Sequence, residues 1–225
     1  MRNRVFVSAN ISFMLAMMAL FSVALLLPFY FEELRGYDTL RAGVLLTPLP
    51  LTLAIVAPVT GALLDRYGSR LLAPAGLAVA CAGLLLLSRL TPDSATSYIL
   101  TCLVVTGLGQ GMFTAPNSHT IMRSAPENEQ GEASGVLATS RVIGQSLGVG
   151  IAGTLFIGAG AAAAGTKLLN HAGTLTPVEK SALEQTFMAG LTSAFRVCAA
   201  VLPRSVSRSP SSAAGAPGGR QVSGP

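Results

Sequence analysis

Two long runs of uncharged, mostly apolar residues dominate this chain and flank a short charged turn. The runs cover residues 42–64 and 71–87, and the turn between them contains Asp65, Arg66 and Arg70. Each run approaches the ~20 residues that an α-helix needs to cross ~30 Å of hydrocarbon. Because so short a connection joins antiparallel neighbours, the turn must lie at one membrane face. The sequence therefore predicts a chain that folds within a lipid bilayer.

The overall composition supports a membrane protein. Hydrophobic residues make up 51% of the 225 residues and charged residues only 11%, which a soluble domain of this length would not tolerate. The net charge of +5 does not indicate nucleic acid, since the fifteen basic residues are scattered over loops and the C-terminal segment without forming a basic face. We interpret them as topology signals, and their distribution predicts a multi-pass protein of the cell membrane with a cytoplasmic N-terminus.

The apolar pattern predicts an all-α, polytopic helical bundle with five spans and an incomplete sixth. The predicted spans of this domain, residues 1–202, are 5–31, 42–64, 71–90, 98–122 and 133–164, with a partial span at 187–202. The partial span would give ~24 Å of helix, which is shorter than the bilayer. Residues 203–225 are rich in Ser, Ala, Gly, Pro and Arg, which predicts a disordered tail. The abrupt change in composition leads to the hypothesis that a shifted reading frame replaced the end of the sixth helix.

Small residues four apart mark two of the predicted spans. Gly107 and Gly111 lie on one face of span 98–122, and Gly144 and Gly148 repeat the spacing in span 133–164. A helix face of this kind lets a second helix approach closely. We therefore expect all four glycines at helix interfaces or beside a cavity.

Polar residues inside these spans are the candidates for function. Arg141 and Gln145 project from nearly the same face as Gly144 and Gly148. An arginine costs at least ~2.5 kcal/mol at the membrane centre, so it should face protein or water; the alternative is a structural arginine that reaches the membrane surface. Asn117 and His119 lie near the end of span 98–122. There the histidine would either relay protons or be a residue of the membrane–water interface with a satisfied hydrogen bond.

Acidic and catalytic groups are missing from the middle of every predicted span. Glu32 and Glu33 fall in a predicted outer loop and Asp65 in the charged turn, so no embedded carboxylate is available for proton coupling. The sequence contains no paired nucleophile and base and no phosphate-binding loop. The three cysteines lie in apolar runs without ligand spacing. We therefore expect neither enzymatic activity nor a metal or other cofactor.

The charged turn has a physical role of its own. Gly68 can adopt the positive φ of a tight turn, Gly61 permits a close helix crossing, and Asp65 can pair with a nearby guanidinium. Such contacts can form and break as helices move, so we expect Gly61, Asp65, Arg66, Gly68 and Arg70 to act as a conformational latch. The alternative is a turn that only fixes the topology.

Two motifs resemble one transporter family. The Gly-x-Leu-x-Asp-Arg-x-Gly-x-Arg pattern of the turn resembles the signature of the major facilitator superfamily and comprises Gly61, Leu63, Asp65, Arg66, Gly68 and Arg70. A second stretch is similar to the fourteen-span drug:proton antiporter branch and comprises Pro126, Gly131, Ala133, Ser134, Gly135, Arg141, Gly144 and Gly148. The resemblance covers about residues 3–198 and matches one C-terminal six-helix half, so it implies a missing N-terminal bundle.

The resemblance also implies a function for the intact system. That system would expel hydrophobic or cationic drugs in exchange for protons, and this chain would form one wall of the cavity and be inactive alone. The alternative is a degenerate or regulatory membrane fragment without transport activity.

Overall fold

The computed structural model describes residues 2–126, 129–170 and 176–206, and its regular structure in these ranges is helical, without a strand. This confirms the all-α fold class. The α-helices are α1 (Arg2–Phe29), α2 (Thr39–Leu46), α3 (Pro48–Tyr67), α4 (Ser69–Leu87), α5 (Thr96–Ser124), α6 (Gln130–Gly158), α7 (Ala161–Asn170) and α8 (Pro177–Val206). A π-helical turn, Tyr30–Leu34, directly extends α1.

Four helical segments of the described chain are long and apolar enough to cross a membrane. They are Phe6–Leu34, Thr39–Leu64, Thr96–Ser124 and Gln130–Gly158, and a shorter apolar helix covers Leu71–Leu87. These segments overlap the predicted spans, and together with the fold they support a multi-pass membrane protein.

The last two predicted spans differ in extent from the observed helices. The predicted span 133–164 divides into α6 and α7 because the chain turns at Gly160, whose φ is +74°. The predicted partial span lies within α8, which begins ten residues earlier than predicted and continues past Pro203. The early start is capped by the hydroxyl and backbone N–H of Thr176, which donate to Glu179 Oε2 at 2.7 and 3.0 Å. Residues 207–225, most of the predicted disordered tail, lie outside the described residues.

The centre of the bundle is formed by α1 and α5. Helix α5 packs against α3 and α4, helix α1 packs against α6 and α8, and contact between α4 and α8 joins the two sets. Two buried amides join the central pair: Gln110 Nε2 donates to the Ala16 carbonyl at 2.8 Å, and Asn117 Nδ2 donates to the Ala9 carbonyl at 3.1 Å. Because these partners run in opposite order along the chain, α1 and α5 are antiparallel.

Helices α3 and α6 leave much of their apolar surface uncovered. In their spanning segments, Thr39–Leu64 and Gln130–Gly158, only 6% and 22% of the most apolar window is buried, against 50% in Phe6–Leu34 and in Thr96–Ser124. The exposed large side chains include Leu51, Ile55 and Val59 on α3 and Val142, Ile143 and Leu147 on α6. These two surfaces must contact lipid or another protein, and we call them the uncovered faces.

Candidate functional site

Helix α6 lies against α1 with almost no space between the two backbones. A Cβ built on Gly148 would be 3.0 Å from the carbonyl carbon and the Cα of Met18, and closer still to the Met18 oxygen. A Cβ on Gly144 would meet the backbone of Met14 and lie 3.0 Å from Met17 Cβ. The structure thus brings Gly144 and Gly148 to a helix interface, as their spacing predicts. The matching order of contacts shows that α1 and α6 are parallel.

A buried hydroxyl connects three helices at this contact. Ser22 Oγ on α1 donates to the Met18 carbonyl at 2.8 Å and lies 3.1 Å from the Gly148 carbonyl on α6. Cys198 Sγ on α8 donates to the same hydroxyl at 3.3 Å. Because the thiol is buried and lies in this packing contact, its role here is structural. Sequence reasoning missed Ser22, although a serine in the middle of an apolar span is a usable signal.

Arg141 lies one turn before this glycine contact. Its guanidinium carbon is 5.7 Å from the centre of the Phe13 ring, which is completely buried, whereas Arg141 itself is exposed. This geometry is a cation–π contact. The neighbouring Ser140 hydroxyl donates to Asn10 Oδ1 at 3.3 Å. Gln145, the other predicted polar residue of α6, is half-buried.

Helix α5 uses its glycines on two sides. A Cβ on Gly107 would be 2.9 Å from the Leu49 carbonyl oxygen of α3, and a Cβ on Gly111 would be 2.9 Å from Val56 Cβ. On the other side, Gly109 lies against the backbone of Ala80 in α4. The glycines therefore let α5 pack closely between its two neighbours, and both Gly107 and Gly111 occupy a helix interface.

The polar residues of α5 are divided between the core and the surface. Asn117 is buried in its hydrogen bond to α1, while His119 is exposed, and the histidine's role as a proton relay stays a prediction. Gln110 was missed by sequence reasoning, yet it is 1% exposed and its Oε1 atom is buried without a hydrogen-bond partner among the described residues. A glutamine at that depth is costly unless its amide joins two helices, as it does here.

The charged turn joins α3 to α4. Gly68 has a φ of +74° and a ψ of 159°, a conformation available almost only to glycine, which explains its place in the motif. Arg66 is exposed in the last turn of α3, and the side chains of Asp65 and Arg70 lie outside the described ones. A Cβ on Gly61 would meet nothing within 4 Å among the described residues, so the close helix crossing predicted there is not made within them. The latch role stays a prediction.

The position of Glu33 differs from the outer loop that the sequence predicts. It lies in the π-helical turn that extends α1 rather than in a loop, and its Oε2 atom is buried without a hydrogen-bond partner in the described part of the chain. The carboxylate packs against Gly165 of α7 and leaves no room for a Cβ there. A carboxyl group is therefore present at the end of a spanning segment.

The same end of the bundle is held by a second polar contact. Tyr30, which is completely buried, donates its hydroxyl hydrogen to the Thr91 carbonyl at 2.7 Å. Arg35 donates to the Tyr30 hydroxyl at 3.0 Å and to the Ser94 carbonyl. This contact joins the end of α1 to the loop between α4 and α5, and it accounts for the extension of α1 beyond its apolar run.

Comparison with known proteins identifies the family. The model of the Major Facilitator Superfamily matches residues 1–149. The chain belongs to the major facilitator superfamily. This family comprises membrane transporters, which in general are not enzymes.

Individual relatives agree with this membership. An uncharacterized transporter, YebQ, of Escherichia coli is 40% identical over 140 residues, which are 62% of this chain and 30% of YebQ. The riboflavin transporter RibZ of Clostridioides difficile is 32% identical, covering 69% of this chain and 34% of RibZ. The puromycin resistance protein pur8 of Streptomyces alboniger is 34% identical, covering 66% and 30%. The chain thus spans about a third of the length of these relatives.

Proposed function

We propose that this chain supplies one helical bundle of a secondary transporter in the cell membrane. The intact transporter would export hydrophobic or cationic small molecules in exchange for protons, as a member of the fourteen-span branch in which this chain forms the C-terminal half. The observation that carries the proposal is the pair of uncovered faces on α3 and α6 in a chain of this family. The name of pur8 as a puromycin resistance protein supports the choice of drugs as substrates.

The uncovered faces are where a second bundle would pack. Transport by alternating access needs two bundles that rock around a site between them. The exposed side chains of α3 and α6 are apolar, whereas α1 and α5 are already half covered by their own neighbours. In this proposal the N-terminal bundle covers α3 and α6, the substrate passes between the bundles, and the chain by itself moves nothing.

The charged turn would regulate the rocking motion. Gly68 fixes the tight turn, and Arg66 is exposed at the end of α3, where it can meet a group on the second bundle. Charge-assisted contacts of this kind are strong enough to favour one conformation and weak enough to break. Asp65 and Arg66 would therefore stabilise one state of the transport cycle.

A chimera tests this function. The part of YebQ outside its match to this chain is joined to the chain and expressed in Escherichia coli that lacks its own drug efflux pumps. We expect lower ethidium accumulation than in cells with an empty vector, and a protonophore should abolish the difference. The variants Asp65→Asn and Arg66→Ala should lose most of this effect at equal membrane abundance, while Arg123→Gln should retain it. Full activity of both turn variants would reduce the turn to a topology signal, and unchanged accumulation with the parent chimera would contradict the transport function.

A further inference from the structure

Arg141 is a charged group within a membrane-spanning segment. It lies eleven residues after the start of α6, about 16 Å along the helix axis. Its side chain is exposed, and its guanidinium contacts the buried Phe13 ring. An arginine at such a position requires water or a polar partner because hydrocarbon does not solvate its charge.

The described residues offer this guanidinium no acceptor. The ring contact leaves all five N–H donors free, and no described carboxylate, amide or hydroxyl oxygen accepts from them. The neighbouring Ser140 hydroxyl donates to Asn10 Oδ1 at 3.3 Å, and neither of these oxygens accepts a hydrogen bond from Arg141. On α6 itself Glu132 is nine residues away, about 13 Å, which is too far for an ion pair.

The backbone of α6 beside Arg141 is fixed by its close contact with α1. Gly144, three residues later, is pressed against the Met14 backbone, so α6 cannot rotate or slide on α1 without a clash. The Phe13 ring contacts the guanidinium at 5.7 Å, and no described residue accepts a hydrogen bond from its N–H groups. A guanidinium in this setting is suited to donate two parallel hydrogen bonds to the oxygens of a carboxylate or phosphate.

We propose that Arg141 binds the oxyanion of an amphipathic ligand whose apolar part lies along α6. Val142 and Leu147, which are 58% and 41% exposed, provide apolar surface beside and beyond the guanidinium. The oxyanion is the carboxylate of a small molecule or the phosphate of an anionic lipid headgroup. If the bound ligand is also transported, this proposal rests on the proposed function and adds amphipathic anions to the substrates. Binding itself needs only this chain.

The chain's lack of tryptophan allows a direct binding test. Leu147→Trp introduces a single fluorophore on the exposed side of α6, and the purified full chain is placed in nanodiscs of phosphatidylcholine at alkaline pH. The probes are 9,10-dibromostearate and its uncharged methyl ester, whose bromine atoms quench tryptophan at short range. We expect the acid to quench at a concentration about tenfold lower than the ester, because a charge-assisted pair forms only with the acid.

Charge-matched variants separate the specific site from general attraction. Arg141→Gln should remove the tenfold preference, Arg141→Lys should keep part of it, and Arg123→Gln, an exposed arginine at the end of α5, should keep all of it. Circular dichroism checks that the variants have the same helix content as the parent chain. Equal quenching by acid and ester in the Arg141 protein, or loss of the preference in the Arg123 variant as well, would overturn the proposal.

The lipid composition identifies the source of the oxyanion. If nanodiscs of phosphatidylglycerol weaken quenching by the acid in the Arg141 protein only, the site takes lipid headgroups; if they do not, it takes small carboxylates. Both results support an oxyanion site. Because the assay measures binding and needs no second bundle, its failure is distinguishable from failure of the efflux experiment.

Discussion

Replacing Gly148 with alanine tests the backbone contact that holds α6 against α1. The added methyl group would lie 3.0 Å from two backbone atoms of Met18 and closer to its carbonyl oxygen. Ordinary contact begins at 3.4 Å, so the two helices must separate by about 0.4 Å at the least. No flexible side chain can move aside, because the obstructing atoms belong to the backbone.

The expected loss of stability follows from this geometry. Forcing a methyl group into a well-packed contact costs about 1–3 kcal/mol. The separation also weakens the Ser22 contact, which bridges α1, α6 and α8. Gly150 is the control, since it lies on the same helix and a Cβ there meets nothing within 4 Å. Alanine at that position should be neutral or stabilise the helix by up to about 1 kcal/mol.

The two variants can be compared by unfolding in detergent. We expect Gly148→Ala to be less stable than Gly150→Ala by about 1–4 kcal/mol, measured by urea or thermal denaturation followed by circular dichroism. Because leucine is larger than alanine, Gly148→Leu should lower the stability more than Gly148→Ala, whereas Gly150→Leu should be tolerated. Equal stability of the two alanine variants would refute the close contact between α1 and α6.

Three further predictions concern other parts of the fold. Gly68→Ala should destabilise the chain by about 1–3 kcal/mol because of its backbone conformation, whereas Gly61→Ala should have little effect; thermal unfolding of both variants checks this. Asn117→Ala should cost about 1 kcal/mol through the lost hydrogen bond to α1, and an unchanged unfolding midpoint would contradict that contact. The hydrogen bonds from Thr176 lower the pKa of the Glu179 carboxyl group. The cap therefore stabilises α8 fully when the pH is above the ordinary carboxyl pKa, and this stabilisation is lost as the pH falls through the lowered pKa. Carbon-13 NMR should show a higher pKa for the Glu179 carboxyl group in the Thr176→Ala variant.

The glycine interfaces could be predicted because their signal is local. Residues four apart share a helix face, and a pair of glycines on an apolar helix has few other uses, so Gly107, Gly111, Gly144 and Gly148 all lie at contacts. Gly61 has no second glycine four residues away, and the close helix crossing predicted for it is not found among the described residues. The identity of the helix that fills each groove could not be predicted, since it depends on the arrangement of the whole bundle.

Helix ends were less accessible to sequence reasoning because tertiary contacts set them. The extension of α1 through Glu33 depends on Tyr30 reaching the Thr91 carbonyl, sixty-one residues away, which no local pattern reveals. The start of α8 was readable from Thr176 and Glu179, whose spacing forms a capping box. The apolar pattern does not reveal it, because the first turns of α8 are polar.

Solute flux in reconstituted vesicles tests most directly whether this chain is one bundle of a two-bundle transporter. Purified chain alone and the YebQ chimera are placed in separate proteoliposomes, and a fluorescent drug is followed after a pH gradient is imposed. We expect flux driven by the gradient with the chimera and none above protein-free vesicles with the chain alone. Gradient-driven flux by the chain alone would contradict the need for a second bundle on the uncovered faces.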